Sequence, residues 1–302
     1  MEINNRIEII EVGPRDGFQS IKEFISTEEK KKIIEGIIES GVKKIQLTSF
    51  VSPKHIPQMQ DAEEIAKYFL NKYPELEFSA LVPNYRGVKR AYEIGLRNIA
   101  YVISVSEGHN KANVNRSVDE SFVELEKILA DFPDINITLD AATTFGCPFD
   151  GKVSYEKVDK YVKRAYDLGI RTINLCDTIG ISNPKQIDEL LTILLEKYKD
   201  IEFQVHIHDT RNMGMLNSYT AIKKGIKHVQ ASLGGMGGCP FAPGASGNLS
   251  TEDFVYMLDK INIETGINFK KLVSVAKEYR DNINGVYSGH QINISDKISC
   301  NS

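Results

Sequence analysis

Ile7-Glu8-Ile9-Ile10-Glu11-Val12-Gly13-Pro14-Arg15-Asp16-Gly17 is an apolar β run that stops in a turn. Gly-Pro and Asp-Gly are turn pairs, and the turn displays Arg15 and Asp16. A dinucleotide-binding open sheet would carry a GxGxxG string after this first strand, and none follows here. Outward from it, short β runs alternate with amphipathic helical stretches. The strand readings are Ile7–Val12, Lys44–Thr48, Glu77–Val82, Asn98–Ser104, Asn136–Thr143, Thr172–Asp177, Glu202–His208 and His228–Ser232. The helical readings are Thr27–Glu39, Asp61–Lys72, Arg86–Ile94, Val118–Asp131, Ser154–Leu168, Pro184–Lys197 and Met213–Lys224. Several end in a glycine step, such as Ser40-Gly41 and Leu168-Gly169, which suits a helix C-cap. Eight strands with intervening helices predict an α/β chain folded as a (β/α)₈ TIM barrel. Two further helices, Glu252–Lys260 and Asn268–Asn282, extend it. The expectation is one catalytic domain over residues 1–302, with the barrel at about 6–250 and the helical extension at about 251–302.

The chain has 302 residues, 41% of them hydrophobic, enough for one large core. Its net charge is −4, from 37 basic and 41 acidic residues, and no basic block points to nucleic acid. Lys30-Lys31-Lys32 reads as a solvated helix face. No apolar run approaches the ~18 residues of a membrane span, and the first residues lack a signal core. The four cysteines, Cys147, Cys176, Cys239 and Cys300, are scattered, with no zinc or disulfide spacing. A cytoplasmic protein is expected.

Active sites of such barrels gather at the C-terminal ends of the strands. Arg15 and Asp16 follow the first strand, Gln46, Thr48 and Ser49 end the second, and Thr143 and Thr144 end the fifth. Asp177 and Thr178 end the sixth. His206-Ile207-His208-Asp209-Thr210 ends the seventh. Residues i and i+2 of a strand share a face, so His206 and His208 project together as a divalent-metal pair. Asp16 is a hard oxygen ligand available to the same ion. The stretch Gly234–Asn248 packs six glycines and Cys239 into fifteen residues. That density suits a loop bringing backbone, one thiol and one carboxamide close to a ligand.

These strings, with Thr48-Ser49-Phe50-Val51-Ser52-Pro53-Lys54, Gly146-Cys147-Pro148, Asp177-Thr178-Ile179-Gly180 and Gly237-Gly238-Cys239-Pro240 through Asn248, resemble the 3-hydroxy-3-methylglutaryl-CoA lyases of the DRE-TIM metallolyase superfamily. The likeness is collinear from about residue 6 to 285. It implies cleavage of a CoA thioester, 3-hydroxy-3-methylglutaryl-CoA to acetyl-CoA and acetoacetate, in leucine degradation by a homodimer. Asp16, His206, His208 and Asn248 would hold Mg²⁺ or Mn²⁺. Arg15 would meet the developing oxyanion, and Cys239 would protonate the enolate. Proton abstraction would run through either His206 or Asp177. Gln46, Thr178, Arg211 and Lys22 would contact substrate, with Lys22 and Lys54 as candidate phosphate contacts.

Three positions depart from the lyase pattern. Gln46 stands where these lyases usually carry Glu, Asp140 where they carry Tyr, and Arg211 where they carry Tyr. Together they suggest a related 3-hydroxyacyl-CoA as substrate. A Claisen condensation enzyme of the same superfamily is the rival, but it would lack the Gly-Gly-Cys-Pro loop. A non-catalytic metal or CoA scaffold would not need Arg15, Asp16, His206, His208, Cys239 and Asn248 together.

Overall fold

The computed structural model describes residues 6–238 and 247–295. Eight parallel strands close on themselves in chain order. They are β1 (Glu8–Glu11), β2 (Lys44–Ser49), β3 (Glu77–Val82), β4 (Asn98–Ser104), β5 (Asn136–Ala142), β6 (Thr172–Asp177), β7 (Glu202–Ile207) and β8 (His228–Ala231). The β1–β8 ladder, Glu8↔His228 to Glu11↔Ala231, shuts the barrel. The (β/α)₈ expectation is met, and each predicted strand is present to within one residue at either end.

The helices are α1 (Phe18–Ser20), α2 (Thr27–Glu39), α3 (Ala62–Lys72), α4 (Tyr85–Glu93), α5 (Glu107–Val114), α6 (Val118–Asp131), α7 (Tyr155–Asp167), α8 (Pro184–Lys197), α9 (Gly214–Lys223), α10 (Thr251–Lys260) and α11 (Phe269–Asn282). Their starts are written in the sequence. Ser26, Asn84, Ser154, Asn183, Ser250 and Asn268 each accept a backbone N–H of the first turn, satisfying donors that have no partner within the helix. Ser117 and Glu120 form a reciprocal capping box on α6. Helices α2, α4, α7 and α9 end at Gly41, Gly95, Gly169 and Gly225, all at positive φ.

Strands covered on both sides carry nearly continuous apolar sequence, as in Ile99 to Ile103 of β4, all buried. Their outer faces and the inner helix faces share one core, in which Ile34, Ile37, Phe69, Leu125, Val162 and Leu191 are fully buried. Helices α10 and α11 lie against the barrel. Lys32 of α2 pairs with Glu278 of α11, and a Cβ on Gly36 would stand 2.8 Å from Val275.

Helix α5 and the short turns at Phe18–Ser20 and Pro57–Met59 lie outside the sequence reading. Glu107-Gly108-His109-Asn110-Lys111-Ala112-Asn113-Val114 has no apolar period and few good helix formers. It is helical because Ser106 caps it and Asn115 ends it at φ 55°. Its placement matters, because it roofs the mouth of the barrel. Among the described residues, no helix is long and apolar enough to cross a membrane.

Candidate active site

A cavity of about 730 Å³ opens at the C-terminal end of the strands. Its floor holds Arg15, Asp16, Asp140, Asn174, His206 and His208, and its outer wall includes Ser52, His55, Asn84, Asn113 and Arg116.

Glu11 fixes the turn that carries Arg15 and Asp16. Its Oε1 accepts the Gly13 N–H at 2.6 Å and the Leu233 N–H at 2.9 Å, and its Oε2 accepts the Thr251 hydroxyl at 2.7 Å. One buried carboxyl thus ties the turn after β1 to the segments after β8 and at the start of α10. Burial pushes that carboxyl up to about 7. Within the turn, the Asp16 N–H donates to Val12 O at 2.6 Å. The Arg15 guanidinium then points inward, donating to Gln46 Oε1 and to Asp16 Oδ1. Gln46 orients the fork without neutralising it, and Asp16 is its ion-pair partner.

The two histidines project together, as the strand period requires. His206 and His208 place their Nε2 atoms 3.0 Å apart, and these lie 4.0 and 3.9 Å from Asp16 Oδ2. His206 Nδ1 sits 3.0 Å from Gln230 Oε1 on the neighbouring strand β8. An acceptor there keeps the proton on Nδ1 and leaves the Nε2 lone pair for the centre of the site. After the glycine loop the chain returns beside β7, pairing His208 with Asn248. Asn248 Nδ2 donates to Asp16 Oδ2 at 2.7 Å and to Met236 O at 2.9 Å. Gly237, at φ 142°, makes room, since a Cβ there would stand 2.2 Å from Asn248 Nδ2 and 3.2 Å from Asp16 Oδ2.

The donor chemistry fits a divalent cation. Asp16, His206 and His208 offer ligand atoms all within 4.8 Å of one another. With no proton between them, two Nε2 lone pairs 3.0 Å apart would repel each other. Asn248 Oδ1 is buried with no partner among the described residues. Buried orphan acceptors are costly, and a cation would satisfy them together. The protonation states agree. Burial, reinforced by His208, pulls His206 down to about 3, and burial lowers His208 as well. Burial opposes ionising Asp16, but the Arg15 guanidinium, helped by the Asn248 amide, holds its carboxyl below the usual range. Two neutral imidazoles, a carboxylate and an amide oxygen form a ligand set for a hard or borderline ion.

The other expected residues fall into different places. Thr178 lines the cavity and accepts the Thr143 N–H at 2.8 Å. Asp177 is buried, but its Oδ1 accepts Ile181 N–H at 3.0 Å and its Oδ2 accepts the Ser182 N–H at 2.9 Å and hydroxyl at 2.6 Å. It holds the loop after β6 and is not in the cavity wall. Arg211 is exposed and donates to Ile179 O at 3.1 Å and Gly180 O at 3.0 Å, stapling that same loop. Lys22 and Lys54 are exposed and outside the cavity wall. Cys147 and Cys176 are buried free thiols. Cys239 and Cys300 lie outside the described residues. Sequence reasoning missed Glu11, Gln230 and Asn174 as parts of the site. The available signal was polarity: a parallel barrel strand is apolar unless a polar side chain has work at the centre.

A family model described as HMGL-like matches residues 6–278. The chain is similar to hydroxymethylglutaryl-CoA lyase YngG of Bacillus subtilis, 40% identical over 92% of this chain and 93% of that protein. It is also similar to (R)-citramalyl-CoA lyase of Chloroflexus aurantiacus, 36% identical over 89% of each. Among solved structures, an HMG-CoA lyase from Acinetobacter baumannii in complex with coenzyme A and 3-methylmalate superposes with a TM-score of 0.92 at 32% identity, covering 100% of this chain and 99% of that one. By sequence and by fold, the chain belongs to the HMGL-like family of barrel lyases.

Proposed function

We propose that this protein cleaves a 3-hydroxyacyl-CoA by a retro-aldol reaction, with 3-hydroxy-3-methylglutaryl-CoA, giving acetyl-CoA and acetoacetate, as the leading substrate. The observation that carries the reading is the buried Asp16, His206, His208 and Asn248 set beside Arg15 on the floor of one cavity. A resident Mg²⁺ or Mn²⁺ on those four side chains would polarise the substrate's hydroxyl and acidify it. The rest belongs to the chain. Arg15, held by Gln46, presents a planar cationic fork to the oxygen on which charge develops as the C–C bond breaks. Cys239, by likeness to the family's Gly-Gly-Cys-Pro string, is the proton donor to the enolate carbon of the departing acyl-CoA. The cavity wall from Thr178 to Arg116 gives the thioester chain a path out. A cytoplasmic homodimer acting in leucine breakdown accompanies this reading.

A second substrate is supported by the likeness to (R)-citramalyl-CoA lyase. A shorter hydroxy diacid thioester of the citramalyl-CoA kind shares the reacting group, and the floor here carries Asp140 and Gln46. The test is a panel of 3-hydroxyacyl-CoA thioesters with Mg²⁺, read by mass spectrometry of the products. Cleavage of at least one member to a shorter acyl-CoA and an oxo acid is expected, and the ranking of kcat/KM assigns the substrate. Condensation of acetyl-CoA with a 2-oxo acid, without cleavage, would replace the lyase by a synthase.

A further inference from the structure

The cavity floor holds a second polar pair, apart from the cation ligands. Asp140 of β5 and Asn174 of β6 are register partners, only 4% and 1% exposed, and both line the cavity. Asn174 Nδ2 donates to Asp140 Oδ1 at 2.9 Å. The amide orientation follows, because the reverse would set oxygen against oxygen. Asn174 Oδ1 is then left buried with no partner among the described residues. The groups around Asp140 are Arg15 and Asp16 from the turn after β1, Cys176 from β6 and Tyr161 from α7. Arg15 donates to Gln46 and Asp16, and the Tyr161 hydroxyl donates to Ile103 O at 2.8 Å. The pair therefore shows the cavity acceptors and awaits a donor. The donor at the reacting carbon of a 3-hydroxyacyl thioester is its hydroxyl.

Resting on the retro-aldol reading, we propose that Asp140, oriented by Asn174, is the base that takes the proton from the substrate's 3-hydroxyl. The rival groups are committed elsewhere. Both Asp177 oxygens are filled by the loop after β6, and the imidazoles face each other and Asp16. In the step, an Asp140 oxygen gains the hydroxyl proton and the O–H electron pair becomes the new carbonyl bond. The C2–C3 bond breaks, and its pair passes into the thioester enolate, which is protonated at C2. Asp140 later returns its proton to water. No oxidant or reductant is needed. Burial pushes the Asp140 carboxyl up to about 6, against Asn174 and Arg15, which pull it down. A base with that value is ionised at neutral pH yet basic enough to accept a proton. The negative charge missing at Gln46 is thus present across the barrel.

The experiment compares wild type, Asp140→Asn, Asp140→Glu and Asn174→Ala at saturating Mg²⁺, so that cation loss adds no pH limb. A wild type that cleaves no panel member overturns the retro-aldol reading and this proposal with it. With wild type active, Asp140→Asn should lower kcat by roughly 100- to 10,000-fold, the usual span for losing a general base, with KM moved by less than about threefold. Its kcat should lose the acid limb near pH 6. Asp140→Glu should regain at least tenfold, and Asn174→Ala should move the limb to higher pH, because its amide favours the ionised carboxylate. Exchange of the acyl-CoA product's α-hydrogens with D₂O needs no hydroxyl deprotonation, so it should persist in Asp140→Asn. Wild-type kcat with an unchanged acid limb would overturn the proposal while leaving the lyase intact. Loss of exchange and Mn²⁺ affinity together with cleavage would make Asp140 structural and overturn it equally.

Discussion

Arg15 touches both a neutral holder, Gln46, and an ion-pair partner, Asp16, so its geometry is fixed more tightly than its charge is cancelled. Arg15→Lys keeps the charge and loses the fork. Removing one such oxyanion contact costs about 10²–10³ in kcat, and a loss of that size with KM within a few-fold is expected from steady-state kinetics. A change confined to KM would make Arg15 a ground-state anchor. Gly237 tests the cation set independently. Gly237→Ala places a methyl 2.2 Å from Asn248 Nδ2, pushing two ligands apart. Mn²⁺ titration should show at least a tenfold weaker site, and the melting temperature should fall as well, because a side chain at φ 142° is strained. Unchanged affinity would remove Asn248 from the ligand set. Of the residues read from sequence, His206 and His208 face together by strand period alone, and Asp16 lies in a short turn string directly after the first strand. Asn174 and Gln230 enter only through strand register, Asp140↔Asn174 and His206↔Gln230, which spacing along one chain does not contain. Arg211 shows the same limit: chain proximity to His208 does not set its direction, and it donates to carbonyls of the neighbouring loop.

At the scale of elements, the strand ends are joined by buried carboxyls. Glu11 holds three donors from three segments, and Glu252 accepts the Gly234 N–H at 2.9 Å. Glu11→Ala orphans those donors at about 1–3 kcal/mol each, so a fall in melting temperature on the order of 10 °C is expected by calorimetry. Glu11→Gln keeps the shape, since a carboxamide can accept the two N–H groups and donate to the threonine. The pH dependence has a definite sign. A carboxyl whose folded value is raised to about 7 contributes stability fully present below its ordinary value of 4.5 and lost as pH rises through 7. Relative to wild type, Glu11→Gln should therefore gain stability between pH 5 and pH 8. A constant difference across that range would show that Glu11 titrates normally. Most elements were legible because apolar runs, serine and asparagine caps and glycine stops agree locally. Helix α5 was not, because it has no apolar period and is bounded only by its Ser106 cap and the left-handed Asn115.

For the whole molecule, one barrel brings together the ends of six strands, and the proposal stands on their acting together upon a 3-hydroxyacyl thioester in the presence of a divalent cation. The buried Asp16, His206 and His208 bring their ligand atoms within 4.8 Å of one another, the arrangement a divalent cation would need. The decisive measurement strips the purified protein with chelator and follows cleavage of 3-hydroxy-3-methylglutaryl-CoA and citramalyl-CoA by product mass spectrometry before and after Mg²⁺ or Mn²⁺ is restored, with His206→Ala alongside. The account predicts negligible turnover without the ion, recovery on adding it, and a loss of about three orders of magnitude in His206→Ala, equal to several kcal/mol of transition-state stabilisation. Full turnover in excess chelator, or wild-type turnover by His206→Ala, would contradict it.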